Sequence, residues 1–109
     1  MRPSPTLLQH TVRITLFTRP NCSLCEMAKT VLARVKRHRD LFEYKEIDVL
    51  KPRQKQWKDL YEFDTPVLHV QRIHHTYSKP DIATEARKLM HRFTEEEVEA
   101  LIEEAEGHA

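Results

Sequence analysis

The feature that most constrains the fold is a change of hydrophobic period near residue 20. Residues 12–18 read Val-Arg-Ile-Thr-Leu-Phe-Thr, a near-alternating and β-branched run that predicts a strand. Pro20 and Asn21 then interrupt the run. Beyond them, apolar residues recur at helical spacing, which predicts a helix from near Cys22 to near Arg39. The members of this apolar stripe are Leu24, Met27, Ala28, Val31, Leu32 and Val35.

The rest of the chain continues this alternation of strands and helices. We predict a strand at 41–49, a helix opened by Pro52, a strand at 66–70, a short strand within 88–92 and a last helix that begins with the capping box Thr94-Glu95-Glu96-Glu97. Trp57, Leu60 and Tyr61 are predicted to form the core face of the second helix. The order indicates an α/β fold with a central mixed sheet of about four strands flanked by helices.

A single domain at residues 12–106 accounts for most of the 109 residues. Residues 1–11 are predicted to form a flexible N-terminal extension. Residues 72–88 show no clean period and are expected to be an insertion that is either functional or ordered.

Composition excludes several classes of function. Lysine and arginine number 18 against 17 acidic residues, so no nucleic-acid partner is expected. No apolar run is long enough for a membrane span, and we expect no membrane partner. The two cysteines do not form the disulfide framework of a secreted protein, which predicts a cytoplasmic location. The first 13 residues contain two arginines and no acidic residue, which leaves a mitochondrial location open.

Cys22 and Cys25 lie at the junction between the first predicted strand and the first predicted helix. A helix N-terminus offers unpaired N–H groups and the positive end of the helix dipole, and both favour a thiolate. The cation of Arg19 acts in the same direction. The thiolate is the nucleophile of disulfide exchange, and Cys25 stands one turn later on the same side, where it can displace a mixed disulfide.

Two other interpretations of the cysteine pair stay open at this point. In one, both cysteines are buried and inert, and serve only to pack the core. In the other, the pair binds zinc together with two histidines. The candidate histidines are His69, His74, His75 and His91, although their separation from the cysteines is unlike that of a zinc finger.

Three segments resemble a known family. Residues 17–25, Phe-Thr-Arg-Pro-Asn-Cys-Ser-Leu-Cys, resemble the active-site segment of glutaredoxins, and especially of glutaredoxin-like proteins with a Cys-x-Leu-Cys variant. Residues 65–68, Thr-Pro-Val-Leu, resemble the segment that carries the cis-proline of the thioredoxin fold. Residues 92–96, Arg-Phe-Thr-Glu-Glu, resemble the start of the last helix in that subfamily.

The resemblance implies a thioredoxin-like fold and a thiol–disulfide oxidoreductase in which Cys22 attacks and Cys25 resolves. It also implies that Pro66 is cis, that the backbone of Thr65 holds a substrate peptide or glutathione, and that Arg19 meets a glutathione carboxylate. The implied partners are glutathione, as reductant or co-substrate, and disulfide-containing proteins or small disulfides. We expect a monomer that requires no cofactor and no metal.

The chain departs from the glutaredoxin pattern at the residues that would contact glutathione. Ser23 and Leu24 stand where glutaredoxins have an aromatic residue, and no Gly-Gly exists, since Gly107 is the only glycine. Two rival functions are also kept, although the missing Gly-Gly argues against the second, which needs bound glutathione too. One is a binding or adaptor module that uses residues 72–88, and the other is an iron–sulfur cluster carrier in which two chains use Cys22 and two glutathiones.

Overall fold

The computed structural model describes residues 12–39, 42–74 and 82–107, and strands and helices follow one another there in the predicted order. The elements are β1 (Val12–Thr18), α1 (Ser23–His38), β2 (Glu43–Asp48), α2 (Lys55–Tyr61), β3 (Val67–His74), β4 (Ile82–Ala83), β5 (Arg87–Met90) and α3 (Glu95–Ala105). A 3₁₀ turn at Pro52–Gln54 leads into α2. The capping box of α3 is confirmed, because the Glu97 N–H donates to Thr94 Oγ1 at 3.1 Å and the Thr94 N–H donates to Glu97 Oε1 at 2.9 Å. The predicted extension at 1–11 lies outside the described residues.

The strands form one mixed sheet with the order β2-β1-β3, and both β4 and β5 pair with β3. β1 and β2 are parallel, so α1 is the crossover between them. β3 runs antiparallel to β1, and β5 runs antiparallel to β3. The predicted mixed sheet is therefore present, with one more short strand than the pattern indicated.

The additional strand is β4, which the sequence pattern did not predict. Val70 pairs with Arg87, and Ile73 pairs with Ala83. Three residues along β3 are therefore matched by four residues between β4 and β5, and the extra residue forms a bulge. At the bulge the Thr84 N–H donates to the Arg72 carbonyl at 2.9 Å. The described ends of the expected insertion at 72–88 are thus paired strands. Residues 75–81 lie outside the described residues, and the role of the insertion stays a prediction.

The sheet buries side chains on both faces because alternate residues of β1 and β3 point in opposite directions. One face packs against α1 and α3 and forms the larger core, with Ile14, Leu16, Leu68, Val70, Leu32, Val35, Val98 and Ile102 among its members. The other face packs Phe17 and Val67 against Tyr61 and Trp57 of α2. The Phe17 and Trp57 rings lie 4.6 Å apart between centroids.

The predicted core face of α2 is only partly correct. Tyr61 is buried and Trp57 is half-buried, whereas the Leu60 residue is 61% exposed. Residues 57 and 61 are one turn apart and share the face that meets the sheet. Leu60 points away from that face, so the assignment of Leu60 to the core is wrong.

Arg39 ties the end of α1 to the acidic helix α3. Its guanidinium lies 2.6 Å from Glu103, 3.5 Å from Glu106 and 3.6 Å from Glu99, measured between the nearest nitrogen and oxygen atoms. The Arg39 side chain is only 26% exposed, so solvent screens this network less than it screens a single surface pair.

We predict that Arg39→Ala lowers the free energy of unfolding by about 1 kcal/mol, because one cation pairs with several carboxylates. The loss should shrink at about 1 M NaCl, where charges are screened within a few ångströms. Urea unfolding at low and high salt measures both quantities. Lys36→Ala, in the exposed last turn of α1, is the control and should change stability little. A loss that is identical at both salt concentrations would contradict the electrostatic explanation.

A buried polar pair lies on the α2 side of the sheet. The Tyr61 hydroxyl and His69 Nε2 form a hydrogen bond of 2.8 Å, and His69 is 8% exposed. Burial lowers the pKa of His69 to about 4, with a smaller contribution from the charge of Lys88. The neutral imidazole is therefore the form that fits this site.

This pKa predicts a loss of stability in mild acid. In the unfolded chain His69 binds a proton near its ordinary pKa of about 6.5, whereas in the folded protein it does so only near 4. The unfolded state therefore holds more protons between these values, and the folded state loses roughly 2 kcal/mol as the pH falls through them. His69→Gln should remove this part of the pH dependence, which urea unfolding across the pH range measures. A parallel pH profile in the two proteins would refute the assignment to His69.

Candidate functional site

The pairing of β1 with β3 builds the candidate site. Phe17 lies opposite Val67, so the loop that leaves β1 and the loop that enters β3 are neighbours at one end of the sheet. The first loop leads to Cys22, and the second holds Thr65 and Pro66. The Thr65–Pro66 peptide bond is cis, as the resemblance implied.

Cys22 and Cys25 form a disulfide, with Cα atoms 5.2 Å apart. Cys22 is the N-cap of α1, and the N–H of Cys25 donates to its Sγ at 3.2 Å. Cys22 is partly exposed, whereas Cys25 is fully buried at 0%. The pair is thus asymmetric, since one sulfur lies toward solvent at the helix N-terminus and the other lies beneath it.

Thr65 lies against Cys22 on the opposite side of the site. Its Oγ1 is 4.0 Å from Cys22 Sγ, and the residue is 8% exposed. In the part of the chain that the structure describes, no hydrogen bond joins the backbone N–H or C=O of Thr65 to another residue. Within the described segments, both backbone groups of Thr65 are thus without a hydrogen-bond partner.

Two residues near the site adopt left-handed backbone conformations that are uncommon outside glycine. Asn21, directly before Cys22, has a φ of 59°, and His91, directly after β5, has a φ of 64°. The N–H of His91 donates to the Pro66 carbonyl at 2.8 Å, and its Nε2 lies 3.6 Å from Asp64 Oδ1. His91 therefore ties the loop before α3 to the cis-proline loop, which the sequence analysis did not predict.

The first of two grooves beside the cysteine pair contains Arg19. This groove, named here the acidic groove, has a volume of about 350 Å³. Its charged lining residues are Arg19, Lys29, Glu26, Glu46 and Asp48, so carboxylates outnumber cations. Lys29 pairs with Glu26 at 3.2 Å and with Glu46 at 3.8 Å.

The second groove runs between α1 and the segment that precedes α3, with a volume of about 320 Å³. Its lining is apolar and basic and includes Leu24, Met27, Val31, Phe93, Arg34 and Arg92. His91 also lines it, and no Asp or Glu among the described residues does. We name it the cationic groove.

The sequence analysis did not identify this groove. It placed Met27 in the apolar stripe of α1, and the structure shows that this residue is 54% exposed. Met27, Val31 and Arg34 follow one another at spacings of four and three, and this common helix face was the available signal. Arg92 comes from a distant segment, and no local pattern relates it to α1.

Among residues 12–39, 42–74 and 82–107, no group of three or more His, Cys, Asp or Glu side chains is placed to hold a metal ion. His69 instead bonds Tyr61, while the side chains of His74 and His75 lie outside what is described. No helix in the described segments is both long and apolar enough to cross a membrane.

Comparison with known proteins identifies the family. Residues 13–103 match the family described as Glutaredoxin-like domain (DUF836). The chain belongs to this family. The glutaredoxin-like protein YDR286C homolog of Dictyostelium discoideum is 37% identical to this glutaredoxin-like domain over 59 residues. Those residues are 51% of this chain and 55% of that protein, so the chain spans about half the length of this relative.

Solved structures of thioredoxins share the fold of this glutaredoxin-like domain. Thioredoxin-2 of the malaria parasite gives a TM-score of 0.64 at 17% identity, over 86% of this chain and 82% of that one. Mitochondrial thioredoxin 3 of Saccharomyces cerevisiae, in its oxidised form, gives 0.59 at 14% identity, over 91% and 84%. The predicted thioredoxin-like α/β fold is therefore confirmed. Together with the bonded Cys-x-x-Cys pair, it supports a thiol redox role.

We predict that Thr65→Val lowers the reactivity of reduced Cys22, because the Thr65 hydroxyl can donate to the Cys22 thiolate. Loss of this hydrogen bond leaves less of the reduced Cys22 as thiolate, so alkylation by iodoacetamide below neutral pH should slow by about twofold. Thr15→Val, at a buried threonine inside β1, is the matched control and should leave the rate unchanged. Equal alkylation profiles in Thr65→Val and the wild type would show that the hydroxyl does not stabilise the thiolate.

Proposed function

We propose that this glutaredoxin-like domain is a thiol–disulfide oxidoreductase, with Cys22 as nucleophile, Cys25 as resolving thiol and glutathione as reductant. The observation that carries the proposal is the asymmetry of the pair: Cys22 is partly exposed at the N-terminus of α1, while Cys25 is buried and bonded to it. An external disulfide can reach the first sulfur but not the second. This difference in access sets the proposed order of the reaction, in which Cys22 attacks the substrate first and Cys25 then resolves the mixed disulfide.

The surroundings of Cys22 favour its thiolate. The sulfur accepts the Cys25 N–H at the first turn of α1, where the helix dipole is positive. Arg19, in the loop that precedes Cys22, adds positive charge on the acidic-groove side. A thiolate of lowered pKa is both the attacking group and a good leaving group, which suits a sulfur that must be bonded and released in each cycle.

The proposed reaction has two exchange steps. The Cys22 thiolate attacks one sulfur of a substrate disulfide, forms a mixed disulfide and releases the other sulfur as a thiolate, which takes a proton from water. The Cys25 thiolate then attacks the Cys22 sulfur, releases the second substrate thiolate and leaves the Cys22–Cys25 disulfide. Two glutathione thiols reduce this disulfide and leave as glutathione disulfide, so that the electrons balance.

The cis-proline loop is the proposed binding site for the substrate backbone. Thr65 lies against Cys22, and its backbone makes no hydrogen bond among the described residues, so an extended chain can pair there as an added strand. No metal or organic cofactor enters this scheme. We place the protein in the cytoplasm as a monomer, with a mitochondrial location as the alternative.

The test equilibrates the protein in a series of glutathione redox buffers, followed by alkylation and mass spectrometry. The wild type should form a Cys22–Cys25 disulfide at a definable potential. Cys25→Ser should accumulate a glutathione adduct on Cys22, because the resolving thiol is missing. Cys22→Ser should form neither product, because Cys25 is buried.

These two serine variants are matched controls for each other, since each removes one sulfur from the same pair. Thiols that stay free in the wild type and alkylate slowly near neutral pH would overturn the proposal. The adaptor function would then replace it.

A further inference from the structure

We infer that the cationic groove is a subsite for protein substrates that carry an apolar side chain next to an acidic one beside the target disulfide. The inference rests on the proposed function and adds to it the chemical class of the substrate. Leu24, which lines the groove, lies between the two cysteines in the chain, so the groove adjoins the segment that carries the reacting sulfurs.

The floor of the groove suits an apolar side chain. Met27 is 54% exposed and Leu24 and Val31 are half-buried, while Phe93 closes the floor at 9% exposure. Met27 is a flexible side chain that adapts to different apolar partners. The volume of about 320 Å³ lies at the small end of ligand pockets. It fits a few side chains of an extended peptide better than a folded surface.

The rim of the groove suits a carboxylate. Arg34 and Arg92 lie on opposite walls, and both are exposed. Arg34 is 3.6 Å from Glu95, yet its side chain remains 56% exposed. For Arg92, no carboxylate within the described segments lies at ion-pair distance. Both guanidinium groups therefore retain donors for a ligand.

The first turn of α3 disfavours a ligand carboxylate, since it already holds Glu95, Glu96 and Glu97. Its capping box already joins the N–H groups of Thr94 and Glu97 to side-chain oxygens of the same two residues. An acidic group that enters the groove would therefore bind the two arginines, which form the stronger, charge-assisted hydrogen bonds.

The two grooves that adjoin the cysteine segment differ in charge, so a charged peptide would bind one of them in preference to the other. The acidic groove holds three carboxylates against two cations, while the cationic groove holds two arginines and no carboxylate. An acidic peptide is repelled from one side and attracted to the other. The same asymmetry selects against a basic peptide in the cationic groove.

The test measures single-turnover reduction of matched peptide disulfides by the pre-reduced protein at low ionic strength. The probes are disulfide-linked dimers of acetyl-Glu-Leu-Cys-Leu-Glu-amide, of the same peptide with Lys in place of Glu, and of the same peptide with Gly in place of Leu. Hydroxyethyl disulfide, which is small and uncharged, gives the reference rate of each protein. Peptide thiol is quantified after acid quenching.

We expect the Glu-Leu peptide to react at least about fivefold faster than the Lys-Leu peptide, from two solvent-exposed ion pairs. The Glu-Gly peptide should react at least about threefold more slowly than the Glu-Leu peptide, because it leaves the apolar floor uncovered. The charge preference, normalised to the reference rate, should fall toward one in Arg34→Ala/Arg92→Ala. It should persist in Lys36→Ala/Arg37→Ala, which removes the same charge from the far end of α1.

Equal rates for the Glu and Lys peptides, or a preference that survives equally in both double variants, would overturn the inference while leaving the oxidoreductase intact. A protein that reduces none of these disulfides, hydroxyethyl disulfide included, is not an oxidoreductase, and the inference falls with the proposed function.

Discussion

The site depends on the antiparallel pairing of β1 with β3. This register places Phe17 opposite Val67, so the end of β1 and the start of β3 meet at the same edge of the sheet. Cys22 follows one strand and Thr65 precedes the other, and the 4.0 Å contact between their side chains is a consequence of the register. A slip of one residue would turn Ile14 and Leu16 out of the core, so the hydrophobic pattern holds the site in place.

The two cysteines differ because α1 begins between them. Cys22 is still in extended backbone as the N-cap, whereas Cys25 lies one turn into the helix and faces the sheet. Cys25 belongs to the helix face that packs in the core, whereas Cys22 precedes the first helical residue and stays partly exposed. The difference in exposure between the two sulfurs is therefore a geometric result of helix packing, and the proposed order of attack and resolution follows from it.

The loop before α3 adopts a left-handed backbone conformation at a residue that is not glycine, and contacts of that residue hold it. His91 takes a left-handed conformation without being glycine, and it is held by the Pro66 carbonyl and by Asp64. These contacts fix the wall of the cationic groove next to the cis-proline loop. The same loop presents Arg92 and Phe93 to the groove that α1 lines on its other wall.

The sequence by itself determined β1, α1, the capping box of α3 and the location of the cysteine pair, because each depends on residues close together in the chain. Apolar residues that recur every two positions identify a strand, and those that recur every three to four positions identify a helix, whichever segment packs against it. Only the tertiary structure decided that β4 extends the sheet, that Leu60 and Met27 are exposed, and that Arg34 and Arg92 share a groove. Exposure and groove lining depend on which distant segment packs against a helix face. The spacing of apolar residues identifies that face, but it does not identify the segment that covers it.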